Sequence, residues 1–313
     1  MTVVVAVNVP DGVIIGADST NTLYEILPFG RSPFHYGLSP KLFSCRGAPV
    51  CIASYGLSAW HQRTIGSFVS EFESQTDIAA FAASTMTDRV EQFRVFMAAS
   101  YEEHIKKAAA EMGLEFEALR GRKNMTTGFV VGGYSSGSLL TEVWHFQIPE
   151  DSESSAHAVI ACGDYRLEGW ALSDPIHRLI QGFDPGIPDR MTQAITDLHL
   201  QAVNARLPQF SPKLIVRGAL RVSSIEPSYG CMSISLGVEF VHFLLETTAN
   251  YYRFVQPIPP ENLSADHKDP PRPVTQTIRV EGPFQIGTVT HREDEARVST
   301  IPAIQYGRTS VIG

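Results

Sequence analysis

The chain has 313 residues, enough for one large domain or two ordinary ones. Hydrophobic residues make up 43% and charged residues 19%, an ordinary balance for a globular protein with a sizeable core. A net charge of −8 argues against nucleic acid or an anionic membrane as the main partner. No apolar run reaches the ~18 residues of a membrane-spanning helix. The N-terminus has no basic leader and is interrupted by Pro10-Asp11-Gly12, so it does not read as a signal peptide. Cys45, Cys51, Cys162 and Cys231 show no close metal or redox spacing. They predict a reduced, cytoplasmic protein that uses cysteine mostly as a small core residue.

The chain opens with two apolar strands, 2–9 and 13–17, joined at Pro-Asp-Gly. Residues 18–40 are polar with Pro and Gly, and read as a loop. A second strand pair, 41–45 and 50–54, turns at Arg46-Gly47-Ala48-Pro49. Helical spacing follows in 58–72, with Trp60, Ile65, Phe68, Val69 and Phe72. Asp77 is placed to cap a long helical stretch carrying Ile78, Phe81, Val90, Phe93, Phe96 and Met97, and 101–119 continues it. Strands return at 127–134 and 139–147 around Ser135-Ser136-Gly137, and at 156–162. Helices are predicted at 166–181 and 189–206. A last strand pair, 232–235 and 238–245, is predicted around Gly237. Most strands connect as hairpins, so the sheets should be largely antiparallel, with helices on the outer faces of a stacked sandwich. The prolines between 255 and 275 read as a linker or strap. This sets an expected division into a main domain, 1–250, and an extension, 251–313, whose strand-like pieces have no assigned place.

Three kinds of motif bear on the chemistry. No zinc-type His-Glu-x-x-His, phosphate-binding Gly-x-x-x-x-Gly-Lys-Ser/Thr or Cys-x-x-Cys occurs, so neither metal nor cofactor is expected. Gly133-Tyr134-Ser135-Ser136-Gly137 fits the serine-hydrolase elbow Gly-x-Ser-x-Gly. That motif needs a helix after the serine, and the alternation at 139–147 instead predicts a strand and a plain hairpin turn. The third lies at Thr2. If Met1 is removed, the Thr2 hydroxyl stands beside its own α-amine, a nucleophile and a base in one residue. The amine's reference pKa of roughly 7.7–8.0 suits a general base near neutral pH. Such a nucleophile needs an orienting carboxylate, a cation and backbone N–H groups for the oxyanion. The first hairpin brings Asp18 alongside the N-terminus, and Lys41 begins the next strand.

This arrangement resembles the proteasome β-subunit type of N-terminal nucleophile hydrolases, including bacterial proteasome-like peptidases. The similarity is carried by Thr-Val-Val-Val-Ala-Val with Asp-Gly-Val-Ile-Ile-Gly-Ala-Asp-Ser (2–19). It continues in Lys41-Leu42-Phe43 with Ala53-Ser54-Tyr55-Gly56-Leu57-Ser58-Ala59, in Phe129–Leu140, and in Ala161-Cys162-Gly163-Asp164 with Gly169. Together these span roughly residues 2–245.

The resemblance implies a four-layer αββα sandwich of two mostly antiparallel sheets flanked by helices, and a threonine-type amidohydrolase acting on a peptide or amide. It implies Thr2 as nucleophile, Asp18 and Lys41 as the tuning charge pair, and the Gly56 N–H as oxyanion donor. The family's assisting serine falls on Cys162. Its later Asp-x-x-Ser-Gly motif falls on 225–230, where Ser228 is retained, Ile225 replaces the aspartate and Glu226 stands beside it. Thr20 stands where an arginine usually follows Asp-Ser. A homo-oligomeric ring, and an ATP-dependent unfoldase as partner class, are implied by resemblance too. The departures at Cys162 and Ile225 keep a second reading open, that of a catalytically silent proteasome-like scaffold or binding subunit.

Overall fold

A computed structural model describes residues 2–27, 30–36, 39–120, 125–181, 191–192, 227–254, 283–290 and 296–301. Residues Met1–Leu172 and Tyr229–Gly313 form one compact unit, and Ser173–Ser228 a second. In the second unit the described helix is Asp174–Gln181, with Pro175 and Ile176 buried. The helix expected at 189–206 lies outside the described residues, apart from 191–192, which are helical.

The first unit contains two five-stranded sheets. We number its strands β1 Val3–Val9, β2 Gly12–Asp18, β3 Asn21–Leu27, β4 Gly30–Tyr36, β5 Leu42–Ser44, β6 Val50–Gly56, β7 Ala59–Trp60 and β8 Arg63–Thr64. The series continues with β9 Thr127–Gly133, β10 Glu142–Ile148, β11 His157–Ile160, β12 Leu167–Ala171, β13 Phe284–Thr290 and β14 Arg297–Ile301. Sheet I runs β12-β1-β2-β13-β14, and sheet II runs β11-β10-β9-β6-β5. Every pairing among the described strands is antiparallel, as the hairpin reading expects. The helices of this unit are α1 Ile65–Gln75, α2 Ile78–Ala83, α3 Met86–Met112, α4 Phe116–Arg120 and, after the second unit, Ile234–Phe254, numbered α5.

The run of valines and isoleucines in β1 and β2 is continuous because both strands are buried on both faces. On one face Val4, Ala6, Val13, Ile15 and Ala17 meet Leu42, Cys51, Ala53, Val130 and Val143 of sheet II. On the other face α5 lies against β2. A Cβ on Gly16 would come 2.4 Å from Val241 Cγ1, and one on Gly237 would come 2.6 Å from Ile14 Cδ1, so both glycines permit this close approach. The outer face of sheet II carries α1, α2 and α3 in a second core containing Ile52, Phe68, Phe93, Met97, Phe129 and Phe146.

Several expectations are corrected here. The predicted strand pair at 232–245 is the helix α5. Its buried residues Val241, Leu244, Leu245, Thr248 and Tyr252 recur at helical spacing. Gly237 marked a packing contact and not a turn. The predicted loop at 18–40 contains the hairpin β3–β4. Its proline, Pro33, is tolerated because β4 has only one neighbour. The first half of the predicted helix 166–181 is strand β12, paired with β1. The helix expected at 58–72 starts only at Ile65, after the short β7–β8 pair, with Thr64 as its cap. Asp77 does cap a helix, accepting from Ala79 N and Ala80 N, but α2 stops at Ala83 and Thr85 caps α3 anew.

The expected boundary at 250/251 falls inside α5, and the structure groups 229–313 with the N-terminal part. β13 pairs along the whole of β2, from Phe284↔Asp18 to Thr290↔Gly12. A strand inside a sheet shares its core and cannot be an appendage.

Arg89 shows how tightly the helical side is joined. It is buried, and donates from Nε to Phe81 O (2.7 Å), from Nη1 to Tyr134 O (2.8 Å) and from Nη2 to Ala82 O. It therefore satisfies the C-terminal end of α2 and the chain leaving β9. Arg89→Met is expected to destabilise the protein by about 3 kcal/mol or more, because three carbonyls lose a charged donor. The check is the shift in midpoint of urea unfolding at unchanged m-value.

Candidate active site

The register of the first hairpin builds the site. Val4 pairs with Ala17, so the next step along both strands sets Val3 beside Asp18. Val3 N donates to Asp18 Oδ1 at 3.0 Å. Thr20 N donates to Asp18 Oδ2 at 3.2 Å. Lys41 Nζ donates to Asp18 Oδ1 at 3.0 Å and to the Thr20 carbonyl at 2.6 Å. Asp18 is 0% exposed, Lys41 3% and Thr2 7%. Thr2 is held from the other side by Leu172 N, which donates to its carbonyl at 3.0 Å. Thus Thr2, Asp18 and Lys41, expected together from the sequence, are brought together.

Burial pulls the Lys41 ammonium below its ordinary pKa, while the Asp18 carboxylate pulls the other way. The result is a cation that gives up a proton more readily than a surface lysine.

Thr2, Lys41, Ser54, Gly56, Ser58 and Ile65 line a small pocket open to solvent. Gly56 is at its rim with φ +88°, and a Cβ there would sit 2.3 Å from the Thr126 carbonyl. Leu57 N donates to Thr126 O at 3.1 Å, so Leu57 faces β9. N–H groups alternate in direction along a strand. The Gly56 N–H therefore points away from β9, to the side on which Ser54 N donates to Lys41 O at 2.9 Å. That is the side of Lys41 and the pocket.

Two features of the site escape any local sequence rule. Gln285 of β13 accepts from Lys41 N (2.8 Å) and Leu42 N (3.0 Å) through one carbonyl oxygen. Ser19 Oγ donates to Pro283 O at 2.6 Å. The C-terminal strand therefore fixes the turn into β5. Alternation within 284–290 was the only signal available, and it does not name Lys41 as a partner. The second feature is a polar network behind Gly56. Tyr55 Oη lies 2.8 Å from His145 Nε2 and accepts from Gln147 Nε2 at 2.8 Å. The His145 ring stacks on Tyr55 and on Trp170.

Of the remaining expected supporting residues, Cys162 does not join Thr2. Cys162 is exposed and lies at the opposite end of β1, a correction that follows from strand register. Val3 pairs with Ala171 but Val7 with Leu167, and Asn8 Nδ2 reaches Asp164 O at 2.6 Å. The Ala161–Asp164 turn therefore caps the Asn8 end. Ser228 is exposed and belongs to the second unit. Glu226 and Ile225, like Met1, lie outside the described residues.

Ser135 is not on an elbow. Its hydroxyl accepts from Met86 N at 2.9 Å, and the next element is strand β10. Burial pushes the Cys45 and Cys51 thiols up to about 12, which leaves them inert core residues, whereas Cys162 and Cys231 are exposed. Among the described residues no cluster of three His, Cys, Asp or Glu could hold a metal ion. Among them, too, no helix is long and apolar enough to cross a membrane.

No family model and no curated protein matches the chain. Among solved structures it is similar to the Anbu (Gly-1) mutant from Hyphomicrobium sp. strain MC1. The identity is 13% and the TM-score 0.44, over 97% of this chain and 88% of that chain. Similarity at this level bears on neither activity nor assembly.

His145 has its pKa lowered to about 4 by burial, with the neighbouring His157 acting in the same direction and Asp151 against it. Unfolding restores a value near 6.5. The unfolded chain then binds more protons between pH ~6.5 and ~4, so stability falls as pH falls through that window. His145→Gln is expected to flatten this part of the thermal midpoint against pH curve relative to the parent protein. An unchanged slope in differential scanning calorimetry would contradict it.

Proposed function

We propose that the chain is a threonine-type amidohydrolase, most simply a peptidase, built as a four-layer αββα N-terminal nucleophile fold. The observation that carries this reading is the buried Asp18–Lys41 pair. It is locked to the Val3 amide one residue from Thr2, in a pocket that also receives the Gly56 N–H. Nothing about sheet packing alone requires two charges there.

In this reading Met1 is removed, and the Thr2 hydroxyl attacks the carbonyl carbon of a substrate amide. The hydroxyl proton passes to the Thr2 α-amine. The oxyanion is received by the Gly56 N–H and by the positive field of Lys41. The C–N bond then breaks, and the α-ammonium returns its proton to the leaving amine. The remaining ester on Thr2 is hydrolysed by a water activated by the same amine, which releases the acid and restores Thr2. Asp18 holds Lys41 in place and keeps its charge. A homo-oligomeric ring, an unfoldase partner and a cytoplasmic location belong to the same proposal and rest on the sequence resemblance.

One observation favours the silent-subunit reading: Cys162 stands at the far end of β1. The two readings part at Thr2. Intact-mass and N-terminal analysis of the mature protein should show loss of Met1. Incubation with a β-lactone should add a single acyl group to Thr2. Thr2→Ala should abolish the adduct and lower hydrolysis of a panel of fluorogenic peptidyl amides by at least about 10³-fold. Retained Met1, or full amidase activity in Thr2→Ala, would sink the enzymatic reading.

A further inference from the structure

The backbone donor of this site is held by a side chain that the catalytic reading does not use. The N–H of Gly56 and the carbonyl of Tyr55 belong to one peptide plane, so whatever fixes Tyr55 fixes the donor's direction. Three contacts fix Tyr55. Its ring lies over Gly128, where a Cβ would come within 2.1 Å of Cζ, so a glycine is needed beneath it. Its hydroxyl accepts from Gln147 Nε2 at 2.8 Å. With that lone pair engaged, the hydroxyl proton is directed to His145 Nε2, also at 2.8 Å. His145 is in turn stacked against Trp170 of β12, which pairs with Val4 of β1.

This chain of contacts runs from β6 across β10 to β12, and back to the strand that begins beside Thr2. It links the two sides of the pocket, the donor on sheet II and the nucleophile on sheet I.

We infer that Tyr55 is a positioning residue of the hydrolase: Gln147, His145 and the bare surface of Gly128 hold it, and it in turn aims the Gly56 N–H at the oxyanion. The inference rests on the reading of Thr2 as nucleophile. It assigns this network to the transition state and not to substrate binding, because the Gly56 donor is needed where negative charge develops. Small misplacements of such a donor are costly, on the order of 10²-fold per ångström.

The test uses the mature full-length chain and a β-lactone that acylates N-terminal threonine, followed by intact mass. Acylation passes through a tetrahedral oxyanion, so its rate reports the donor. Periodate, which cleaves a free N-terminal amino alcohol without an oxyanion, reports in parallel that Thr2 is exposed and intact. Tyr55→Phe keeps the ring and removes the hydroxyl. It should lower the maximal acylation rate about 10- to 100-fold, leave the half-saturating lactone concentration within about twofold, and leave periodate cleavage unchanged. Gln147→Leu should act in the same direction and more weakly.

If the parent protein is cleaved by periodate but never acylated at Thr2, the hydrolase reading fails and the inference with it. If the parent is acylated and both variants match it, Tyr55 does not position the donor and only the inference falls. A variant that loses rate only through weaker lactone binding would also overturn it.

Discussion

A carboxylate and an ammonium buried between two apolar sheets are the constraint on which the site depends. Removing both from water costs several kcal/mol per ion, and their attraction offsets this only when every remaining hydrogen-bonding position is filled. Here the backbone fills three of those positions. Asp18 takes the Val3 and Thr20 amides, and Lys41 gives its second bond to the Thr20 carbonyl. The charges are thereby welded to the start of β1, the end of β2 and the chain that follows. An apolar pair of similar volume would be at least as stable in many proteins. Stability alone therefore does not account for the pair, which in the proposed reading serves Thr2.

The same constraint explains why so many distant segments converge. Lys41 enters from sheet II, but its own backbone amide must be satisfied, and Gln285 on sheet I does this. The strand carrying Gln285 pairs along β2 as far as Asp18. A strand late in the chain therefore completes a site that begins at its second residue. Order in the Thr2 pocket is a property of the two sheets together, because neither sheet holds all the donors.

Legibility from sequence followed the range of the physical rule. The β1–β2 hairpin and Asp18 beside the N-terminus were readable because strand alternation and a tight turn act over a few residues, whereas Lys41 and Gly56 entered the site only through the family resemblance. The failures were longer in range or ambiguous in period. Val238–Leu245 is a short apolar run, and such runs fit a strand or a buried helix equally well until the Gly237–Ile14 contact decides it. β12 read as a helix because its partner, β1, lies more than 150 residues away. Gln285 had only the alternation of its own short strand, which names no partner. Cys162 was misplaced for a related reason: a motif match along the chain cannot say which end of a paired strand a turn will occupy, and the register Val7↔Leu167 puts it at the wrong end for Thr2.

That misplacement changes where support for Thr2 should be sought. If the turn at Ala161–Asp164 caps the Asn8 end, it cannot help to hold Thr2 at the Val3 end. What the described structure does put behind the pocket is an aromatic and amide network: Tyr55 clamped on Gly128, hydrogen-bonded to Gln147 and His145, and backed by Trp170. Such a network carries no charge of its own while His145 is neutral, so it adds no desolvation cost to a region that already holds Asp18 and Lys41. Rigid rings and shared hydrogen bonds set direction, and an ion pair sets potential. Both span the two sheets: Asp18 and Trp170 lie on sheet I, Tyr55 and His145 on sheet II, and Lys41 at the entry to β5.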